Sequence, residues 1–251
     1  MKSSSGAGGN YDWALRDLGR FVTPAEIQLV AEIGSRDAVD GLELARHFSA
    51  EVLIFEPDPI NAQICRGNLA SESGQVEARF FELALSNISG PADFYSVDPH
   101  LYSNRGSSGL YEINFGDRPR NDPDRNRKSV QKKVTVDASR FDELALPTPD
   151  LVAMDVEGAE LQVLDGFGDK LKDVRAVLAE SSFWNNWKGP GSTFPELHRL
   201  LSSMGFRFVA STRTRARRQF PRQSLRQRLF PRYQPAFNVL YVNGSGSGGL
   251  F

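Results

Sequence analysis

The stretch "PDLVAMDVEGAELQVLDGF", residues 149–167, carries the plainest structural signal in the chain. Leu151 to Met154 form a short continuous apolar run, the mark of a strand buried on both faces. The run ends abruptly in Asp155, Glu157 and Glu160 around Gly158, and a helix is expected from about Glu160. A buried strand that stops in carboxylates needs a reason, because an unpaired buried charge is costly. In doubly wound sheets the carboxyl ends of strands are where ligands bind.

Working outward, strand-like and helix-like segments alternate. "LVAEIG" (29–34), "EVLIFEP" (51–57) and "VEARFFELAL" (76–85) read as strands. "AVDGLELARHF" (38–48) and "PINAQICRGNLA" (59–70) read as helices, the second opened by Asp58 as N-cap and Pro59 in the first turn. "PADFYSV" (91–97) and "SVQKKVTVD" (129–137) look like short strands around a long polar insertion, residues 98–128. An insertion of that length reads as a lid or binding loop. "VRAVLAE" (174–180), a helix near 194–203, "FRFVAS" (206–211) and "AFNVLYVN" (236–243) complete the series. The alternation predicts one α/β domain with a parallel sheet and right-handed crossovers.

The 251 residues are 40% hydrophobic, enough for a sizeable core. No apolar run reaches the roughly 20 residues of a membrane helix. The start, "MKSSSGAGGN", has no hydrophobic segment of the secretory kind, and a cytoplasmic protein is expected. Residues 1–10 and 244–251 read as flexible tails. Cys65 is the single cysteine, so no internal disulfide forms, and it is expected to be a buried, inert thiol. The net charge of −1 divides unevenly: residues 1–212 sum to −9, and residues 213–251 hold eight Arg and no acid, giving +8. The Arg-rich run at 213–232 reads as a solvated loop, with an anionic partner or the acidic body of the protein as alternatives.

The residues just beyond each strand suggest a nucleoside site. Glu32-Ile33-Gly34-Ser35-Arg36-Asp37 ends the first, with a glycine for close approach and free N–H groups expected at the helix start. Glu56-Pro57-Asp58 ends the second, and an acid there can accept from both hydroxyls of a ribose. Glu82-Leu83-Ala84-Leu85 ends the third and is expected to line an adenine pocket. A pyrophosphate binder wants G-x-G-x-x-G, whereas this chain has G-S-R-D-A-V, which weakens a nicotinamide dehydrogenase reading. Glu32 suits a cationic methionine moiety better.

"EIGSRDAVDGLELA", "IFEPDP", "ALSN", "MDVEGAELQVLDG" and "NVLYVN", in that order, resemble the FkbM family of S-adenosylmethionine-dependent methyltransferases over roughly residues 29–243. The resemblance implies a class I methyltransferase, Rossmann-like fold: a seven-stranded sheet, helices on both faces, and a last strand antiparallel to the rest. It implies S-adenosyl-L-methionine as cofactor and O-methylation of a small-molecule or glycan hydroxyl, within one domain spanning residues 11–243. Glu32, Gly34, Ser35, Arg36, Asp37, Glu56, Pro57, Asp58, Glu82 and Ala84 are the expected cofactor residues. The chain departs from the common pattern where Glu32 replaces an Asp and "GSRDA" replaces a "GANxG" loop.

Methyl transfer needs an acceptor hydroxyl held near the methyl carbon and a base for its proton. Asp155 and Glu180 are the candidates, with His100 of the insertion a further one; His47 and His198 are expected to be structural. Glu160 in the first helical turn reads as a cap. Asp155, Glu157 and Glu180 are also oxygen ligands of the kind that suits Mg²⁺, but the expectation is no metal. Trp184 and Trp187 can stack on a sugar face or pack into a loop, and "RGSSG" (105–109) is expected to cover the pocket. Two rival readings are an RNA methyltransferase anchored by the Arg-rich segment and a non-catalytic scaffold that keeps the fold.

Overall fold

The structure, a computed structural model, describes residues 11–72, 74–102, 105–116, 129–183, 185–212 and 236–244. In chain order its strands are β1 (Leu29–Ile33), β2 (Glu51–Phe55), β3 (Ala78–Phe81), β4 (Ala84–Leu85), β5 (Gly90–Val97), β6 (Glu112–Ile113), β7 (Gln131–Ser139), β8 (Leu151–Met154), β9 (Ala176–Ser181), β10 (Trp187–Lys188), β11 (Phe206–Ser211) and β12 (Phe237–Asn243). The helices are α1 (Asp12–Leu18), α2 (Val39–Phe48), α3 (Pro59–Ser71), α4 (Glu160–Gly166) and α5 (Phe194–Ser203).

Seven strands form the main sheet in the order β11-β12-β9-β8-β1-β2-β3. β1 pairs parallel with β2 and β8, while β12 runs antiparallel to both β9 and β11. The sequence expectation of a last strand opposed to the rest is met. The order reverses between β1 and β8, so their carboxyl ends diverge and open a crevice.

Alternation along the strands sends side chains to two cores. Ile33, Phe55, Met154 and Val177 face one layer with Val163 and Leu164 of α4 and Leu197 and Leu201 of α5. Val30, Ile54, Leu151 and Leu178 face the other, with Leu18 of α1, Leu42 of α2 and Cys65 of α3. Helices therefore cover both faces. Cys65 is fully buried, and burial pushes its thiol up to about 12, which fits the inert role expected of it.

Two smaller sheets lie outside the main one: β4-β7-β5 and β10-β6. Here the structure corrects the reading of residues 76–85 as one strand. β3 stops at Phe81, and Ala84–Leu85 leaves to pair with Ala138–Ser139 of β7. His47 and His198 are structural, as expected. His198 Nδ1 lies 3.0 Å from the hydroxyl of buried Tyr241, and the His47 ring packs edge-on against Phe48. Among the described residues, no helix is long and apolar enough to cross a membrane. The tails and the Arg-rich run fall outside the described residues, as do residues 103–104 and 117–128 of the insertion.

Candidate active site

A cleft partly open to solvent lies at the carboxyl ends of β1, β2 and β8. Its floor is Gly34, whose φ of 78° is the left-handed region. A Cβ there would stand 2.0 Å from the backbone oxygen of Asp155. Only glycine lets β1 turn this close to β8.

The turn after Gly34 is tightly wired. Ser35 donates its hydroxyl to Glu32 Oε2 at 2.6 Å and accepts the Ala38 N–H at 2.8 Å. Gly34 and Ser35 N–H go to the Phe55 carbonyl, and Asp37 N–H to that of Ser35. Arg36 N–H goes to Glu56 Oε2 at 2.7 Å and Val39 N–H to Asp37 Oδ1 at 3.2 Å. Every backbone N–H from Gly34 to Val39 is thus engaged within the protein. This corrects the expectation of free N–H groups at the helix start, and it leaves no cradle for a pyrophosphate. Arg36 and Ala38 are themselves left-handed, with φ of 58° and 66°. Ala38 stands at the fifth position of the loop, where the commoner "GANxG" pattern has a glycine, and its left-handed backbone is the region that favours glycine.

Glu56 ends β2 and is 4% exposed. Its Oε1 accepts the Asp58 N–H at 2.7 Å, the partner to the Arg36 bond on Oε2. Burial lifts its carboxyl to about 7, with the two N–H bonds opposing. Glu32 is buried too and is lifted to about 8 by burial. Pro57 and Ala84 line the cleft, with Leu83, Leu85, Phe94 and Leu110 making its apolar side.

Three expected cofactor residues point elsewhere. Glu82, at the break after β3, pairs with the Arg66 guanidinium and does not line the cleft. Asp58 is buried as the N-cap of α3, its Oδ1 accepting the Ile60 N–H at 2.9 Å. Asp37 pairs with Arg36 and caps the turn into α2.

The acids of the 149–167 stretch gather at the other end of the cleft. Asp155 is open to it, yet the surrounding walls raise its carboxyl to about 6. Asp155 and Glu180, at the end of β9, bring carboxyl oxygens within 4.8 Å of each other, so ionisation of one opposes ionisation of the other. Burial and the Asp155 charge push the Glu180 carboxyl well up. Glu157, left-handed at φ 54°, joins them, and oxygens of the three lie within 4.8 Å of one another. Such a cluster can hold a proton or a hard cation. Glu160 is 3% exposed and accepts the Gly158 N–H at 3.2 Å, a bond within the turn ahead of α4; the expected side-chain cap of the helix is not formed.

The insertion forms part of the roof, but not through His100. His100 lies on an exposed turn, its backbone N–H on Asp98 Oδ1. Gly106, Ser108, Gly109 and Leu110 line the cleft instead. Gly109 pairs with Tyr95 and comes within close packing distance of Glu157. Trp187 is packed rather than presented: its ring fills the space beside Gly158 and rests against Ile113, Phe115 and Val130. Trp184 is outside the described residues.

Several lining residues are not marked by the sequence pattern. Asn61, in the first turn of α3, is buried beside Glu56, and its Oδ1 has no hydrogen-bond partner. A polar residue one turn after a strand-end acid is a usable signal for it. Asp40 of α2 and Tyr11, just before α1, also line the cleft. Tyr11 has no signal, because nothing local says that the chain start folds back over the sheet.

Comparison with known proteins gives this geometry a context. Residues 30–208 match the family described as the methyltransferase FkbM domain. The chain is 30% identical over 173 residues to 2-O-methyltransferase NoeI of Sinorhizobium fredii, covering 64% of this chain and 66% of that protein. It is 27% identical over 198 residues to methyltransferase sdnD of Sordaria araneosa, covering 70% and 73%. A solved methyltransferase FkbM from Methylobacillus flagellatus KT shares the fold at a TM-score of 0.51 and 12% identity, over 86% of this chain and 44% of that one.

Proposed function

The chain belongs to the FkbM methyltransferase family, and from that premise we propose that it is an S-adenosylmethionine-dependent O-methyltransferase acting on a hydroxyl of a small molecule or glycan. The observation that carries the reading is Glu56. A buried carboxylate is fixed in orientation by two backbone N–H groups at the edge of the cleft, with the Asn61 side chain beside it. Set at the end of β2, it can accept from ribose hydroxyls. Arg36 acts through its N–H on Glu56. Pro57, Ala84, Leu83 and Phe94 offer an apolar slot for adenine. Gly34 allows the nucleoside to lie against the strand ends. The Asp155 carboxylate favours a sulfonium and an ammonium in the remaining space, and the cation in turn favours ionisation of Glu32. The family's methyl donor supplies an electrophilic methyl carbon there.

On the acceptor side Asp155 is the base. With Glu180 pushed well up by burial, Asp155 is the acid of the pair that ionises more readily and is poised to take a proton from a weak acid. Asp155 takes the hydroxyl proton as the acceptor oxygen attacks the methyl carbon. The sulfur–methyl bond breaks, and its electron pair stays on sulfur. The products are a methyl ether and S-adenosylhomocysteine. Glu180 orients Asp155. Glu157 and the Gly109 backbone keep bulk water from the reacting centre. The Sinorhizobium fredii relative is named a 2-O-methyltransferase, which supports oxygen as the acceptor atom.

The test is calorimetric titration with S-adenosylhomocysteine, on the wild type and on Glu56→Ala. Micromolar binding that is lost in the variant is expected. Transfer of labelled methyl onto a panel of hydroxylated acceptors then tests the oxygen chemistry. A wild type that binds no S-adenosylhomocysteine overturns the reading.

A further inference from the structure

Tyr11 stands outside the span matched to the family, residues 30–208, yet its side chain forms part of the cleft wall. It is 7% exposed, and among the described residues no group hydrogen-bonds its hydroxyl. The acids around it are Asp155, Glu32, Asp40 and Glu180. Burial and those charges keep the phenol protonated, so it can donate. α1 holds it there: Ala14 and Leu18 are buried in the same core as Leu240 and Val242 of β12, and the Arg207 guanidinium of β11 lies 4.8 Å over the Phe21 ring.

The methionyl end of the donor carries an ammonium and a carboxylate. Glu32, Asp40 and Asp155 suit the ammonium and repel the carboxylate. A carboxylate in that corner therefore needs a donor. The backbone N–H groups of Gly34 to Val39 are all engaged. The Ser35 hydroxyl is given to Glu32, and the Arg36 guanidinium gives its Nε–H and one Nη2–H to Asp37. Tyr11 adds a buried donor at this end of the cleft. Building on the S-adenosylmethionine reading, we propose that the Tyr11 hydroxyl binds the carboxylate of the donor's methionyl end. The segment ahead of β1 thereby completes the cofactor site.

The test pairs a residue change with a ligand change, which isolates one contact. Wild type and Tyr11→Phe are titrated with S-adenosylhomocysteine and with its decarboxylated analogue, 5′-deoxy-5′-(3-aminopropylthio)adenosine. A hydrogen bond to a charged group implies that Tyr11→Phe weakens S-adenosylhomocysteine roughly 10- to 100-fold. The analogue should bind both proteins equally, which also proves that the variant is folded. Equal weakening of both ligands would mean that Tyr11 supports the wall and not the carboxylate. Unchanged binding of both would likewise overturn the proposal while leaving the cofactor reading intact. A wild type that binds neither ligand removes the cofactor reading itself, and this proposal with it.

Discussion

Replacing Glu56 by Gln keeps the shape of the side chain and removes its charge, but the exchange is not neutral. Oε1 receives the Asp58 N–H and Oε2 the Arg36 N–H, each at 2.7 Å. In Gln one of those oxygens becomes an NH₂, so in either orientation a donor faces a donor. One buried N–H loses its partner, costing about 1–3 kcal/mol. Charge acts the other way. Burial raises Glu56 from 4.5 to about 7 in the folded chain. Between those pH values the native state keeps a proton that the unfolded chain has released. The group's contribution to stability is therefore full below pH 4.5 and is lost as pH rises through 7, amounting to roughly 3 kcal/mol. Gln suffers no such loss. Glu56→Gln is expected to be about 1–3 kcal/mol less stable than wild type at pH 5, with the gap closed or reversed at pH 8. Urea denaturation followed by circular dichroism at both pH values measures this. A deficit of the same size at pH 5 and pH 8 refutes the burial argument. A variant as stable as wild type at pH 5 refutes the donor-against-donor argument.

The same site yields further expected outcomes. Gly34→Ala drives a Cβ to 2.0 Å from the Asp155 backbone oxygen at a φ of 78°. Neither backbone can yield cheaply, so Tm should fall by roughly 6–12 °C, for about 3 kcal/mol; a melting point within a degree of wild type would contradict the close approach. Turnover should rise with pH through an apparent value near 6, because Asp155 must be ionised to accept a proton. Asp155→Asn should lower kcat by roughly 10²- to 10⁴-fold, and a variant that kept the rising limb would move the base elsewhere. Dialysis against a chelator should leave turnover unchanged, since burial and like charge raise Glu157 and Glu180 and disfavour full ionisation of the three-acid cluster. Loss of activity restored by Mg²⁺ would instead make Asp155, Glu157 and Glu180 a cation site.

What the sequence made legible was local. Strand ends at Gly34, Glu56 and Asp155 and the Asp58 cap each depend on neighbours within a few residues, and each was readable. Glu82 was not. "FFELAL" has unbroken strand character, but β3 ends at Phe81 and β4 joins a different sheet, so the intervening acid turns out to Arg66. Which sheet a strand joins is decided by a partner far away in the chain, here Ala138 and Ser139 of β7. Tyr11 and the Gly106–Leu110 roof were illegible as lining for the same reason: long-range packing brings them in. The "GSRDA" loop shows the converse. Its sequence lacks the second glycine of the common pattern, yet its backbone is left-handed at Arg36 and at Ala38, the position of that glycine.

The ladder between β5 and β7 has a consequence for how the protein can change. Val97 faces Gln131, and Asp98 N–H bonds the Val130 carbonyl at 2.9 Å, so the 33 residues between Val97 and Gln131 leave and return at one clamped point. With the ends fixed, chain-closure entropy grows only with the logarithm of the excursion's length. Doubling it costs about 0.6 kcal/mol. The excursion can therefore change length at little cost to the seven-stranded sheet, while Gly106, Ser108, Gly109 and Leu110 tie part of the cleft wall to it.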